Sequence, residues 1–314
     1  MLRELRASDA DTVQPLLRAS FPEQEALLGT RPEAFQSTVR RIFQWDARIA
    51  LGLLRLVRRP AFYFFVVEED HRVVGTTLLT FRPRAGHIAM VMVDPGYRRK
   101  GFARMLLSKA ETTSRSLGRP FTVLDVLTTN TPARALYASH GYAPLRELAY
   151  LVRELTRGDV LPGPAAVPGL RRVHSRDFGE LATMTNDAMS RQGQEVLATR
   201  TRDFHPSAIL ERELASETEG WVVETAGRVR AYLRANSSEL MSAGHLSAPA
   251  MVPGTSAEEI APLAFQALGW LRDRGAARAV VEVPVDQADA VRAMTAVGFR
   301  EAFRLLTLYR PTAS

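Results

Sequence analysis

The sequence predicts a mixed α/β protein made of two tandem copies of one domain. The chain of 314 residues has about twice the length of an ordinary domain. Strand-like runs alternate with helical periodicity along it, and short matching segments recur in the same order in its two halves. The composition, 46% hydrophobic and 24% charged, is that of a globular chain and argues against collagen-like, coiled-coil and largely disordered structures.

Four pairs of short segments carry the repeat. They are Leu2–Asp9 with Leu170–Asp177, Val66–Val73 with Val222–Val229, Ala85–His87 with Ala243–His245, and Gly141-Tyr142 with Gly298-Phe299. A stretch rich in Gly and Pro separates the halves, and such a stretch sustains neither a helix nor a central strand. We therefore predict an N-terminal domain over residues 1–155, a linker over 156–168 and a C-terminal domain over 169–314.

The first half predicts its elements from periodicity and turn residues. Aromatic and β-branched runs indicate strands, apolar residues at helical spacing indicate helices, and Gly118 is typical of a helix end. The predicted elements are a hairpin at Phe62–Glu68 and Arg72–Phe81, a strand at His87–Val93, a long helix at Arg99–Leu117, a strand at Phe121–Leu127, a short helix at Pro132–Ser139 and a strand at Tyr142–Val152.

Positive charge is confined to the first half. Residues 1–157 contain 24 basic and 15 acidic side chains, a net charge of +9, whereas residues 158–314 contain 17 and 19, a net charge of −2. A basic domain favours an anionic partner: a nucleic acid, a membrane surface or a phosphorylated small molecule. The chain has no cysteine, so disulfides, thiol nucleophiles and cysteine-ligated zinc are excluded. No apolar signal-peptide core lies near Met1, so we expect a cytoplasmic protein. We also expect no metal site.

The residues most typical of a binding site lie where the third strand passes into the long helix. Three consecutive cations at positions 98–100 precede Gly101 and Ala103. Small residues let an anion approach the backbone N–H groups of a helix start, where the helix dipole favours negative charge. The segment predicts a phosphate cradle that is neither a Walker loop nor a dinucleotide fingerprint.

With this loop the sequence resembles the GNAT superfamily of acetyl-CoA-dependent N-acetyltransferases. The segment Arg98–Ala103 matches the family's pyrophosphate-loop pattern, Q/R-x-x-G-x-G/A, and Asn130–Tyr142 matches a second element, N-x-x-A-x-x-x-Y-x-x-x-G-F/Y. The resemblance covers residues 1–152 and, more weakly, 169–310, an arrangement similar to tandem members such as mycothiol synthase. It implies, in each domain, a mixed, mostly antiparallel twisted sheet flanked by helices.

The resemblance also implies roles for single positions. Backbone groups of Val91, Met92 and Val93 would bind the pantetheine arm of acetyl-CoA and polarise the thioester carbonyl. Asn130 would contact the pantetheine arm, and the Tyr137 hydroxyl would protonate the departing thiolate. The pyrophosphate would be held by the loop residues Arg98, Arg99, Lys100, Gly101, Phe102 and Ala103.

Structural roles compete with the implied ones. Asn130 is also typical of a helix cap, and Tyr137 is also suited to packing beneath the last strand. Many family members carry a glutamate base on the fourth strand, where Ala89 and Met90 stand in this sequence. The candidate base is His87, acting through water, although His245 keeps the same place in the second copy and thereby favours a structural histidine. Fallback candidates are Glu68, Glu69 and Asp125.

The second copy lacks the chemistry of the first. An offset of 158 residues places the segment 98–103 on Ser256–Ala261, so that Ser, Ala and two Glu replace the three cations and the glycine. An offset of 157 places Tyr137 on Met294. Acidic side chains oppose the binding of an anionic cofactor. We predict that the C-terminal domain keeps the fold and lacks the cofactor site.

Residues 40–59 predict a basic amphipathic helix. Its arginines share one arc of a helical wheel and apolar residues fill the rest. Such a helix can contact a membrane surface, but covering the acceptor groove or packing between domains is the interpretation we favour.

The predicted function is acetyl transfer from acetyl-CoA to the primary amine of a small molecule or peptide, with no nucleic-acid partner. A non-catalytic acyl-CoA-binding or protein-interaction module is the alternative, and the presence of both Asn130 and Tyr137 favours the enzyme. The sequence chooses neither among peptide, lysine, polyamine, aminoglycoside and amino-sugar acceptors nor among oligomeric states.

Overall fold

The computed structural model describes residues 1–20, 62–156, 168–204 and 216–312, together with 22, 26, 27, 29 and 158. The chain packs as two compact units. Among the described residues, unit 1 contains 1–145 and 307–312, and unit 2 contains 146–306. The helix predicted over 40–59 lies outside the described residues, as does most of the linker predicted over 156–168.

Unit 1 is a mixed sheet with a helix on each face. Its elements are β1 (Leu2–Glu4), α1 (Ala10–Ser20), β2 (Phe62–Glu69), β3 (Arg72–Phe81), β4 (Ala85–Val93), α2 (Phe102–Ser116), β5 (Phe121–Leu127) and α3 (Thr131–Ser139). The strands lie in the order β1-β2-β3-β4-β5, and neighbours are antiparallel except β4 and β5, which are parallel. These elements confirm the ones predicted, with bounds that differ by at most three residues.

Alternation of side chains decides which helix each face of β4 meets. Gly86 faces α2, because a Cβ at this position would collide with the Ser114 side chain. The next residue, His87, therefore points to the opposite face. That face packs on α1, whose buried apolar residues form a cluster with Met92.

Unit 2 repeats this architecture. Its elements are β6 (Ala143–Glu154, from Arg146 onward), β7 (Leu170–Arg172), α4 (Phe178–Asp187), α5 (Arg191–Leu197), β8 (Ser216–Thr225), β9 (Arg228–Ser238), β10 (Ala243–Leu246), β11 (Ala250–Met251), α6 (Ala257–Asp273), β12 (Arg278–Pro284), α7 (Ala288–Ala296) and β13 (Arg300–Pro311, up to Leu306). The strand order is β6-β12-β10-β9-β8-β7, with β11 beside β9, and β10 and β12 form the parallel pair.

The duplication is confirmed at atomic detail by one ion-pair network. The Arg3 guanidinium donates to Glu68 Oε2 at 2.7 Å and to both carboxylate oxygens of Asp9 at 2.7 and 3.0 Å. In the second copy, Arg171 donates to Glu224 Oε2 at 2.9 Å and to both oxygens of Asp177 at 2.7 and 2.9 Å. Both networks join the first strand of a copy to its hairpin.

The two sequence copies exchange their last strands, so that each unit contains a final strand, or part of one, from the other copy. In unit 2, the first copy's final strand β6 pairs antiparallel with β12, Leu148–Glu154 against Arg278–Pro284. In unit 1, the end of the second copy's final strand β13 lies beside β5. The packing units therefore differ from the predicted repeat boundaries at 155 and 169, which remain a prediction about the duplication.

Candidate active site

A wedge opens between β4 and β5 of unit 1. The two strands are paired only over Ala85–His87, opposite Phe121–Val123, although β4 continues to Val93 and β5 to Leu127. Beyond His87, the backbone of β4 on its β5 side therefore has no strand partner among the described residues. These unpaired groups lie in the last two thirds of β4, residues 88–93, and backbone N–H and C=O groups require a hydrogen-bonding partner.

A β-bulge shapes the wall of this wedge. Two residues of β4, Met90 and Val91, lie opposite the single residue Thr77 of β3, and Met90 has a positive φ of 53°. A bulge interrupts the regular pairing and redirects the strand. Val91, Met92 and Val93, the residues predicted to bind the thioester end of the cofactor, lie at this bulge and just beyond it.

The predicted phosphate loop forms an open helix start. Gly101 is the N-cap of α2 with φ 87°, its residue offers no capping side chain, and nothing lies within 4 Å of where its Cβ would be. Arg99 is also left-handed, with φ 66°, which costs a non-glycine residue about 1 kcal/mol or more. Because of these angles the helix begins at Phe102, three residues later than predicted from the apolar spacing.

The charge of this loop faces solvent. Arg98, Arg99 and Lys100 are exposed, and Arg98 Nε donates to the carbonyl oxygen of Val93 at 3.2 Å, which links the loop to the end of β4. Left-handed residues such as Arg99 and Gly101 can turn successive backbone N–H groups toward one concave anion site, and the helix dipole adds positive potential. The loop can therefore hold a phosphate or pyrophosphate group, with Phe102 and Ala103 in its first helical turn.

Asn130 and Tyr137 belong to α3. Asn130 is its N-cap, and its side-chain oxygen accepts a hydrogen bond from the Ala133 N–H at 3.1 Å. Tyr137 is 7% exposed, its ring meets that of Tyr142 edge-on with centroids 6.1 Å apart, and its hydroxyl makes no hydrogen bond to any described residue. Burial raises the pKa of Tyr137 to about 12, so this hydroxyl is protonated and available as a donor at neutral pH.

His87 lies at the apex of the wedge in a three-residue cluster. His87 Nε2 is 3.0 Å from Asp125 Oδ2, and the Thr307 hydroxyl donates to Asp125 Oδ1 at 2.6 Å. Burial opposes ionisation of Asp125, but the hydrogen bond and charge of His87, aided by Thr307, outweigh it and lower the pKa of Asp125 to about 2. Asp125 is therefore a carboxylate at neutral pH.

Comparison with known proteins gives this arrangement a family. Residues 15–142 match the model of the acetyltransferase (GNAT) family. This segment is a GNAT domain. Acetyl-CoA is the cofactor of this family. No curated protein matches the chain significantly in sequence.

Solved structures extend the likeness to the whole chain. A tandem GNAT protein from the clavulanic acid biosynthesis pathway superposes with a TM-score of 0.64 at 17% identity, covering 100% of this chain and 99% of that one. A GCN5-related N-acetyltransferase from Sphaerobacter thermophilus gives a TM-score of 0.64 at 18% identity, covering 100% and 96%. Both share the fold with this chain, and the tandem GNAT architecture predicted from the sequence is confirmed.

The other fallback bases, Glu68 and Glu69, lie at the end of β2. Glu68 is bound by Arg3, which lowers its pKa, and the equivalent Glu224 is bound in the same way by Arg171. Glu69 is the last residue of β2, beside the hairpin turn. Since Glu68 serves the same contact in both copies, its role in the GNAT domain is to join β1 to β2.

The corresponding helix start in the second copy is closed. Ser256 caps α6 by accepting from the Glu259 N–H at 3.3 Å, and the Glu259 carboxylate accepts from the Ser256 N–H at 2.8 Å. Two backbone donors that an anion would use are thereby occupied by the protein itself. The offset of 158 is wrong here by three residues. Ser256 stands opposite Gly101 as N-cap, because α2 begins 17 residues after Ala85 and α6 begins 14 residues after Ala243.

The alignment of Tyr137 with Met294 agrees with the backbone. The Tyr142 N–H donates to Tyr137 O at 3.1 Å, and the Phe299 N–H donates to Met294 O at 3.1 Å. His245, the counterpart of His87, has a buried Nε2 with no hydrogen-bond partner among the described residues, and burial lowers its pKa. The histidines thus share a position and differ in their partners.

Sequence reasoning missed Thr307. It lies 182 residues from Asp125 along the chain, and its own neighbourhood in the sequence carries no motif. The repeat alone could have found it, if the last strands had been recognised as exchanged.

Within the described residues, no helix is long and apolar enough to cross a membrane.

Proposed function

We propose that the chain is an N-acetyltransferase that moves the acetyl group of acetyl-CoA to a primary amine of a small molecule or peptide by direct attack in unit 1. The observation that carries this proposal is the wedge between β4 and β5, which leads along β4 into the open, basic helix start at Gly101. A thioester arm in the wedge and a pyrophosphate at the helix start would lie along one continuous stretch of chain, Val91–Ala103.

The proposed binding roles follow the groups that are unpaired or exposed. Backbone groups of Val91–Val93 would hold the pantetheine arm and donate to the thioester carbonyl oxygen, whose negative charge grows in the transition state. Backbone N–H groups of Arg99–Ala103 and the three neighbouring cations would hold the pyrophosphate. Asn130 caps α3 with its side-chain oxygen, which leaves its amide N–H₂ for the pantetheine arm.

In the proposed reaction, the amine nitrogen forms a bond to the carbonyl carbon as the carbon–sulfur bond breaks. Tyr137 would donate a hydrogen bond to the departing thiolate. A free thiol with a pKa of about 8.5 is a stronger acid than Tyr137, whose pKa is about 12, so Tyr137 would stabilise the thiolate mainly as a donor. His87, four positions before Val91 on β4, would take the proton of the amine through water.

The acylation activity is tested by following the release of the CoA thiol from acetyl-CoA with a panel of primary amines. We expect release with wild type and none with Gly101→Glu, which puts a carboxylate in the phosphate cradle. The matched control is Gly118→Glu at the other end of α2. Gly118 is also left-handed, with φ 71° and open space around its Cβ, so the control carries the same backbone strain and should stay active.

Two results would contradict the proposal. Equal activity of Gly101→Glu and wild type would mean that the loop does not hold the cofactor. Binding of acetyl-CoA by wild type with no thiol release for any amine would favour the non-catalytic acyl-CoA-binding module instead.

A further inference from the structure

The polar cluster at the apex of the wedge has a defined donor and acceptor order. Asp125 is ionised and can only accept hydrogen bonds. The Thr307 hydroxyl therefore donates to Oδ1 at 2.6 Å, and Nε2 of His87, at 3.0 Å from Oδ2, must carry a proton. A neutral imidazole with its proton on Nε2 has a lone pair on Nδ1.

The face on which His87 lies is the one opposite α2. His87 pairs with Thr80 of β3 and Met92 pairs with Thr76. Thr80 and Thr76 are four residues apart on one strand and point to the same face, so His87 and Met92 share that face despite the bulge between them. The His87 and Asp125 side chains are 22% and 23% exposed, so the imidazole is reachable by solvent while its carboxylate partner is fixed by Thr307.

We infer that Asp125 and Thr307 are positioning residues that hold His87 with Nε2 protonated and Nδ1 free to take the proton of the acceptor amine. This inference rests on the proposed function and adds to it the acting nitrogen and the two residues that orient it. The carboxylate also stabilises the imidazolium that forms when Nδ1 takes the proton. Thr307 belongs to the exchanged strand β13, so the second copy of the sequence supplies part of the first copy's site.

Two further described residues lie near the His87–Asp125 pair. The charge of Arg82 also acts on Asp125, and the β3 residue opposite His87 is Thr80, whose hydroxyl contacts the His87 carbonyl oxygen at 3.5 Å. The second copy provides an internal reference, because His245 occupies the same strand position without a hydrogen-bond partner on Nε2 among the described residues.

The test is a two-bond proton–nitrogen NMR correlation on the full chain labelled with ¹⁵N-histidine, recorded where the ring is neutral. The chain has six histidines, and His87→Gln assigns the signal. We expect the Nε2–H tautomer for His87 in wild type, a mixture of tautomers in Asp125→Asn, a weaker bias in Thr307→Val, and restoration of the wild-type pattern in Thr307→Ser. Adding acetyl-CoA should shift the His87 signals and leave those of His245 unchanged.

Catalysis supplies the second readout, with any amine that wild type acetylates. We expect Asp125→Asn to lower kcat about tenfold with KM for acetyl-CoA unchanged. Thr307→Val should lower kcat by a smaller factor, and Thr307→Ser should restore it.

Two outcomes overturn the inference. An Nδ1–H tautomer in wild type would contradict the assigned hydrogen-bond order. His87 chemical shifts that do not change when acetyl-CoA binds would assign His87 a structural role only. Failure of wild type to bind acetyl-CoA would be a failure of the proposed function, and the tautomer would still decide whether Asp125 and Thr307 orient His87. If Asp125→Asn does not fold, Thr307→Val and Thr307→Ser carry the same comparison.

Discussion

The two copies of the domain keep the same scaffold and differ at the two points where a cofactor and a proton would be handled. In the first copy, α2 starts at Gly101, which has no capping side chain. In the second, the side chains of Ser256 and Glu259 each accept a hydrogen bond from the other's backbone N–H at the start of α6. In the first, His87 is bound to Asp125; in the second, the Nε2 of His245 is buried with no partner among the described residues.

This difference separates scaffold from chemistry. Features present in both copies, such as the ion-pair network of Arg3 and Arg171, serve the fold. Features present in one copy are the candidates for function, because the fold forms without them in the other. A conserved position is thus informative only together with its partners, as His87 and His245 show.

The largest expected effect concerns the shared scaffold. Arg3→Met and Arg171→Met should each destabilise the protein by about 3 kcal/mol, because Asp9 and Asp177, whose side chains are 7% and 5% exposed, lose their counter-charge. Unfolding in urea measures both. Similar losses would support one scaffold in two copies, and a loss confined to one variant would break the comparison.

The same networks predict the sensitivity of the fold to acid. Burial opposes ionisation of Asp9, but the Arg3 and Arg6 hydrogen bonds outweigh it and lower its pKa, and the Arg171 hydrogen bond lowers that of Asp177. A lowered folded-state pKa gives stability above the unfolded value of 3.8 that is lost as pH falls through the folded value. Below about pH 4, wild type should lose stability faster than Arg3→Met.

The next effect sharpens the comparison at the exchanged strands. Arg310 on β13 donates to the buried Glu111 at 2.6 Å in unit 1, whereas its counterpart Arg153 on β6 donates to the Val297 carbonyl in unit 2. Arg310→Met should destabilise the protein by about 2 kcal/mol, because the buried Glu111 carboxylate loses its guanidinium partner, and Arg153→Met by about 1 kcal/mol. Thermal or urea unfolding decides, and a larger loss for Arg153→Met would contradict this ranking.

Tyr137→Phe tests the chemistry of the first copy. Removing the donor to the thiolate should lower kcat about tenfold, equivalent to about 1.4 kcal/mol, with acetyl-CoA affinity unchanged. Met294→Leu at the matching position of the second copy is the control and should leave kcat unchanged. An unaltered kcat in Tyr137→Phe would assign Tyr137 to packing alone.

The smallest effect concerns the closed helix start. Glu259→Ala removes one half of the capping box and should destabilise unit 2 by about 1 kcal/mol. We expect no additional acetyl-CoA to bind, because Ser256 still stands opposite Gly101, Glu258 lies in the first turn of α6, and residues 253–255 supply no cation. Calorimetry on the variant checks the stoichiometry, and a second bound equivalent would show that the cap alone closes the second site.

Local sequence patterns predicted the strands and helices of unit 1 closely, since each depends on neighbouring residues. The hairpin at Phe62–Phe81 follows from aromatic and β-branched runs, and the loop before α2 from its glycine and cations. The start of α2 was missed by three residues because the left-handed angle of Arg99 leaves no mark in the apolar spacing.

Contacts distant in the chain were not predicted. The hydrogen bond from Thr307 to Asp125 depends on the exchange of the last strands, and that exchange is a property of packing and not of any local sequence pattern. The register of the repeat at Ser256 was also wrong, because α2 begins 17 residues after Ala85 whereas α6 begins 14 residues after Ala243. Asp125 therefore stood only as a fallback base, without its partners.

The stoichiometry of acetyl-CoA binding, measured by calorimetric titration of the full chain, tests the contrast between the two copies most directly. One equivalent is predicted for wild type, with the site in unit 1, and none for Gly101→Glu. Two equivalents, or one equivalent that survives Gly101→Glu, would contradict a single open site in the first copy and a closed one in the second.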